Sequence, residues 1–157
     1  MIKLVRVDHR LLHGQVAMAW TQSLDVDCML IANDAVAKDD IRKTTLKLAK
    51  PNGVKLVIKN MEDSIAALNK GVTDKYKLFI IVESIEDAYR LTSGYKKIRS
   101  VNLGGCKPKE TAVKTLYKTI PITERDGELL KEMLSDGIEV EIRQVPGDQK
   151  LLVKENM

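Results

Sequence analysis

VRVDHRLLHGQV, residues 5–16, passes from an apolar β-branched run through a charged loop into a segment that opens on glycine. The run KLVRV (3–7) reads as a strand and Asp8 ends it. A loop then carries His9, Arg10 and His13, and Gly14 opens a helix over 14–23. A strand handing directly to a helix is half of a crossover unit, and the rest of the chain repeats it. The runs DCMLIAN (27–33), VKLVIK (54–59), KLFIIVE (77–83) and IRSVNLG (98–104) have the composition of strands buried on both faces. Helical spacing follows at 34–50, stopped by Pro51-Asn52-Gly53, at 61–70, closed by Gly71, and at 84–91, with Glu86 and Asp87 in the first turn. Beyond Gly104-Gly105 a loop rich in Lys, Glu and Pro leads to a strand LYKTIPI (116–122). Thr123 then caps a helix running through Leu134, and IEVEIRQV (138–145) closes the fold. In that last strand Ile138, Val140 and Ile142 alternate with Glu139, Glu141 and Arg143, the pattern of a sheet edge with one wet face.

Alternation of this kind predicts an α/β fold: an open, mainly parallel sheet with helices on both faces, in one domain over 1–157. There is no repeat, linker or low-complexity tract. No apolar stretch is long enough to cross a bilayer, and MIKLVRV is cut short by Arg6 and Asp8 without a cleavage site, so the expectation is a cytoplasmic protein at most peripheral to a membrane. Cys28 and Cys106 lie far apart with no metal-type spacing, which argues against a disulfide framework or zinc site. Aromatic residues are 4% of the chain and the net charge is only +4, which argues against nucleic acid. A mild positive surplus suits an acidic or a phosphorylated protein partner equally.

Open parallel sheets bind ligands beyond the carboxyl ends of their strands. Those ends carry Asp8 to His13, Asn33-Asp34, Glu83-Ser84, and Asn102 with Gly104-Gly105. His13 stands where a helix begins, beside unpaired backbone N–H groups, with the planar donor fork of Arg10 three residues before it. It is therefore the candidate nucleophile toward phosphorus. An imidazole attacks as the neutral base with one nitrogen free and the other N–H held, and a nearby cation favours that form and stabilises the phosphorylated product. Asp8 would orient Arg10 or cap a loop N–H, and Gly14 and Gln15 would donate to phosphate oxygens. Positioning and charge stabilisation supply most of the catalysis of such a transfer, so neither a metal nor a cofactor is required. Plainer readings stand beside these. His13 also fits a helix cap or a packed surface residue, and Arg10 a structural partner of Asp8. His9 and His13 form an H-x-x-x-H spacing, but Arg10 between them and the missing glutamate oppose a metal site. Asn33-Asp34 reads most simply as a helix N-cap and Gly104-Gly105 as a turn.

VRVDHRLLHGQV resembles the signature D-x-R-L-I-H-G-Q-V of the IIB components of the bacterial sugar phosphotransferase system (PTS), in the mannose, fructose and sorbose family. IANDAVAKDDIRK, VNLGG and GIEVEIRQVP resemble further segments of that family in the same order. His9 fills the variable position, Leu12 replaces isoleucine, and Cys106 stands where methionine is common; Lys107-Pro108-Lys109 would mark a partner-facing loop. The resemblance implies about seven strands with an antiparallel last one, and the activity of a protein-N(π)-phosphohistidine–sugar phosphotransferase. In that activity a cytoplasmic phosphocarrier takes a phosphoryl group from the phosphohistidine of a IIA partner onto His13. The group then passes to a sugar held by membrane IIC and IID subunits. Asp8, Arg10, Gly14 and Gln15 match the family's active-site loop. Two competing functions remain at this point: a regulatory domain of the same fold that binds an anion, and a phosphatase with Glu83 as the acid.

Overall fold

The structure is a computed structural model and describes residues 1–157. In chain order it contains β1 (Ile2–Asp8), α1 (Gly14–Leu24), β2 (Cys28–Ala32), α2 (Asp34–Ala37), α3 (Asp40–Ala49), β3 (Lys55–Lys59), α4 (Met61–Asn69), β4 (Leu78–Val82), α5 (Ile85–Gly94), β5 (Ser100–Gly105), β6 (Ala112–Leu116), β7 (Ile120–Thr123), α6 (Glu124–Ser135), β8 (Glu139–Ile142) and β9 (Leu151–Leu152). Seven strands form one sheet in the order β3-β2-β4-β1-β5-β8-β9, parallel throughout except for β9.

The strand pleat divides the core between the two faces. Val5, Val7, Leu30, Ile80, Val82, Leu103 and Val140 point to the side covered by α4, α5 and α6. Met29, Ile31, Phe79 and Ile81 point to the side where Leu12, Ala17 and Trp20 of the loop and α1 pack with Val36 and Leu46. From β1 the chain moves through α1 toward β2 on one side, while from β5 it moves away toward β8. The order of connection therefore reverses between the neighbouring strands β1 and β5, which places a crevice at their carboxyl ends.

Four sequence expectations are corrected. Residues 34–50 form two helices, because the Asp39 side chain accepts from Arg42 N at 3.1 Å and starts a second helix after α2. LYKTIPI is not one strand but a turn and its second arm: β6 and β7 form a separate antiparallel hairpin. Its tight turn holds Tyr117 and Lys118 at φ 46° and 68°, the mirror-image geometry that matches strand twist. IEVEIRQV does not lie at the edge: β8 is interior, the antiparallel last strand is the two-residue β9, and Glu141 is buried rather than wet. Gly104-Gly105 is the end of β5, not a turn.

Candidate active site

The loop leaving β1 is built around one carboxylate. Asp8 is fully buried, and its backbone carbonyl accepts from Leu11 N at 2.9 Å, closing a turn that holds Leu11 at φ 59°. Its side chain collects donors from three directions. Oδ1 accepts from the backbone N of Arg10 at 3.0 Å and from Arg10 Nε at 3.2 Å. Oδ2 accepts from Arg6 Nη2 at 3.1 Å and lies 3.0 Å from His13 Nε2. Asp8 thus does both things expected of it, orienting Arg10 and capping a loop N–H, and it also holds His13. Burial alone would raise the Asp8 carboxyl. The bonds from His13 and from the backbone and side chain of Arg10, with the charge of Arg6, outweigh burial and hold it below the usual carboxylate range.

His13 is the N-cap residue of α1, with extended backbone (φ −144°, ψ 125°), and its side chain makes no capping bond. The other five helices are each closed by a side-chain cap, from Asn33, Asp39, Asn60, Ser84 and Thr123. The first turn of α1 has neither such a cap nor an acidic residue, so its N–H groups remain available to an anion. Gly14 begins that turn at φ 35° and Gln15 follows it, both exposed. With Nε2 on Asp8, His13 Nδ1 has no hydrogen-bond partner within the protein. The side chain of Arg10 is 41% exposed, so its guanidinium reaches solvent while Asp8 anchors it.

Behind Asp8 lies a buried polar row that sequence reasoning missed. Arg6, Asn102 and Glu141 occupy matched positions on β1, β5 and β8, on the sheet face covered by α1. Arg6 Nη1 donates to Asn102 Oδ1 at 2.7 Å and to the carbonyl of Arg143 at 3.0 Å. Asn102 Nδ2 donates to Glu141 Oε1 at 3.2 Å, and Arg143 forks onto Glu141 through Nε and Nη2, each at 3.0 Å. Trp20 roofs the row, with the guanidinium carbons of Arg6 and Arg143 at 5.8 and 5.0 Å from its ring centre and its Nε1 donating to the Gln144 carbonyl. A legible signal existed: polar residues stand two apart at Arg6 and Asp8 in β1, at Ser100 and Asn102 in β5 and at Glu139 and Glu141 in β8, where a strand buried on both faces should carry apolar ones.

The remaining strand-end residues do not join His13. Asn33 caps α2, accepting from Val36 N, as its sequence position suggests. Asp34 accepts from Met61 N at 2.8 Å and pairs with Arg90 at 3.0 Å. Glu83 faces Arg42 at 3.8 Å, and Ser84 caps α5. His9 donates its backbone N–H to Gly105 O, and its Nδ1 is buried without a partner. On one side of it a cleft of about 570 Å³ is lined by Arg10, Tyr117, Thr119 and Gln144; on the other, one of about 600 Å³ by Arg42, Glu83, Lys107 and Lys109. Burial first, then the charges of Asp126 and Asp8, push the Cys106 thiol up to about 12, so it stays an inert thiol. No cluster of three or more His, Cys, Asp and Glu side chains is placed to hold a metal, and no helix is long and apolar enough to cross a membrane.

The site thus places a histidine held by a buried aspartate at an uncapped helix start and at the switch point of an open parallel α/β sheet, a class of domain that receives ligands at its strand ends. Residues 2–157 match the family model described as the PTS system sorbose subfamily IIB component, and the chain belongs to that family. It is 34% identical over 150 residues to the mannose-specific EIIAB component of Escherichia coli, covering 96% of this chain and 46% of that one. A probable phosphotransferase enzyme IIB component of Streptococcus pyogenes is 43% identical over 103 residues, which are 66% of this chain and 63% of that one. The chain thus spans less than two thirds of the length of these two relatives. The sorbose-specific EIIB component of Lacticaseibacillus casei is 32% identical, over 94% of this chain and 89% of its own. Among solved structures, the IIBSor domain of the Klebsiella pneumoniae sorbose permease superposes with TM-score 0.89 at 26% identity, covering 96% and 92% of the two chains. The Escherichia coli N-acetylgalactosamine-specific IIB component 1 gives 0.90 at 27%, covering 98% and 100%.

Proposed function

We propose that the protein is a phosphocarrier that takes a phosphoryl group from the phosphohistidine of a IIA partner onto His13 and passes it to a sugar presented by membrane IIC and IID subunits. The observation that carries this reading is the 3.0 Å contact between Asp8 Oδ2 and His13 Nε2 at the one helix start with no side-chain cap. The Asp8 carboxylate keeps the proton on Nε2, which leaves the lone pair on Nδ1. In the first step that lone pair attacks phosphorus, the donor P–N bond breaks, and its electron pair returns to the donor imidazole. The ring of His13 gains positive character, which the carboxylate offsets, while the backbone N–H groups of Gly14 and Gln15 and the guanidinium of Arg10 receive the phosphoryl oxygens. In the second step a sugar hydroxyl attacks phosphorus, the P–Nδ1 bond breaks with its electrons returning to His13, and the hydroxyl proton is released to water.

The family supports the phosphotransferase role, and the mannose-specific relative named as an EIIAB component supports a IIA donor. A carrier working between a soluble donor and a membrane acceptor has its place in the cytoplasm at the membrane face. Incubation with radiolabelled phospho-IIA tests the proposal. The wild type becomes labelled, keeps an acid-labile phosphohistidine in the absence of acceptor, and discharges it to sugar when vesicles bearing IIC and IID are added; His13→Ala takes up nothing. Label lost rapidly to water without an acceptor would instead indicate a hydrolase, and no label at all a ligand-binding domain.

A further inference from the structure

The row behind Asp8 touches no reacting group, yet its residues are buried and polar, two of them charged, and it ends on the carboxylate that holds His13. Such a row is a poor source of stability, since desolvating its charges costs about as much as their attraction returns, and apolar residues of like volume serve a core as well or better. The geometry of Arg6 indicates another use. Its guanidinium meets three acceptors on three segments: Asp8 Oδ2 at 3.1 Å, Asn102 Oδ1 at 2.7 Å and the Arg143 carbonyl at 3.0 Å. Room is made for it: a Cβ on Gly104 would fall directly on this guanidinium, and the β1–β5 ladder shifts register between Val7 and Asp8, so that Asp8 stands opposite Gly105. The planar fork meets the three acceptors with two separated nitrogens, Nη1 on Asn102 and the Arg143 carbonyl and Nη2 on Asp8, whereas a lysine ammonium offers all its donors from a single point. The short bonds to Asp8 are then divided, Oδ1 taking the backbone N and Nε of Arg10, and Oδ2 taking Arg6 and His13, with Arg10 Nη2 reaching Oδ2 only at 3.4 Å.

We propose that Arg6, anchored by Asn102, is a positioning residue for transfer at His13. It fixes the rotation of the Asp8 carboxylate so that Oδ2 faces His13 Nε2, and thereby selects the tautomer with its lone pair on Nδ1. This rests on the reading of His13 as the phosphoryl acceptor. Without Arg6, Oδ2 keeps only His13 and a long 3.4 Å bond from the half-exposed Arg10 Nη2, the carboxylate turns about its Cβ–Cγ bond, and both tautomers of His13 become populated.

The test reads the tautomer directly, with no phosphate present. Long-range proton–nitrogen correlation spectra of ¹⁵N-labelled protein, taken with His13 neutral, are expected to show the Nε2–H form alone in the wild type. Mixed forms are expected in Arg6→Met and Arg6→Lys, with a smaller admixture in Asn102→Ala. Initial rates of phosphoryl uptake from phospho-IIA should fall about tenfold or more in the Arg6 variants, the size typical when the partner that orients a histidine is lost. A folded Arg6→Met with the wild-type tautomer and rate overturns the inference; if that variant does not fold, the same two results in Asn102→Ala overturn it. A tautomer shift in the variants of a protein that takes up no phosphoryl group upholds Arg6's hold on Asp8 and sinks the acceptor reading. Uptake on His13 that is indifferent to Arg6 does the reverse.

Discussion

Asp8→Asn changes one atom and should disable the protein while leaving it folded. The asparagine oxygen can keep the bond from Arg10 N, but its amide group then meets Arg6 Nη2 and His13 Nε2, donor against donor, where the carboxylate oxygen accepted from both. His13 relieves the clash by moving its proton to Nδ1, the nitrogen assigned to attack. Loss of the correct tautomer at an aspartate-held histidine costs about 10⁴-fold in rate, or ~5 kcal/mol of transition-state stabilisation. Stability falls as well, because removing one partner of a buried ion pair costs about 3–5 kcal/mol. Arg6 retains its bonds to Asn102 and to the Arg143 carbonyl, which places the loss near the lower end, ~3 kcal/mol. With a urea slope of about 2 kcal/mol/M the unfolding midpoint drops by ~1.5 M. Initial rates of labelling by phospho-IIA and urea titrations measure the two effects. A variant labelled within tenfold of the wild-type rate on the same nitrogen refutes tautomer control by Asp8. An unchanged urea midpoint refutes the energetic account of the buried pair.

Arg10→Ala should slow phosphoryl uptake by about 10²–10³-fold, the loss of one well-placed donor to a developing charge, with a urea midpoint close to wild type, because the backbone bond to Asp8 survives. The depressed carboxyl of Asp8 contributes stability that is present above its unfolded value of about 3.9 and is lost as pH falls through its lower folded value. Urea titrations from pH 7 to 3 should therefore show a fall in unfolding free energy below about pH 4 that is shallower in Asp8→Asn; parallel curves would exclude Asp8 as its source. Gly104→Ala drives a methyl group into the Arg6 guanidinium and should lower stability by ~3 kcal/mol. Gly127→Ala, inside α6 and 4.0 Å from Ile122 Cδ1, should raise it by about 0.5–1 kcal/mol; thermal melts of the two variants give opposite shifts.

What the sequence disclosed and what it hid follow from the range of the interactions. LFIIV in β4 and CMLIA in β2 are buried along their whole length, so composition alone identifies them, and their alternation with helices leads to the parallel sheet. The loop from Asp8 to His13 is local, and its turn and Asp8–Arg10 bonds join residues two or three apart. The break at Lys38-Asp39 was hidden because both sides of it carry helical spacing and only the second cap at Asp39 separates them. Glu141 misled because alternating polar residues mark a wet face unless something covers them; here the cover is Trp20 and the segment after β8, more than a hundred residues apart. Arg6 and Asn102 are 96 residues apart, and their meeting depends on β5 lying beside β1, which no local pattern specifies.

The nitrogen that carries the phosphoryl group tests the account most directly. In protein labelled with ¹⁵N at histidine and charged by phospho-IIA, phosphorus–nitrogen couplings should place the phosphoryl group on Nδ1 of His13, with Nε2 still protonated toward Asp8. A phosphoryl group on Nε2, on His9 or on any other side chain would contradict it.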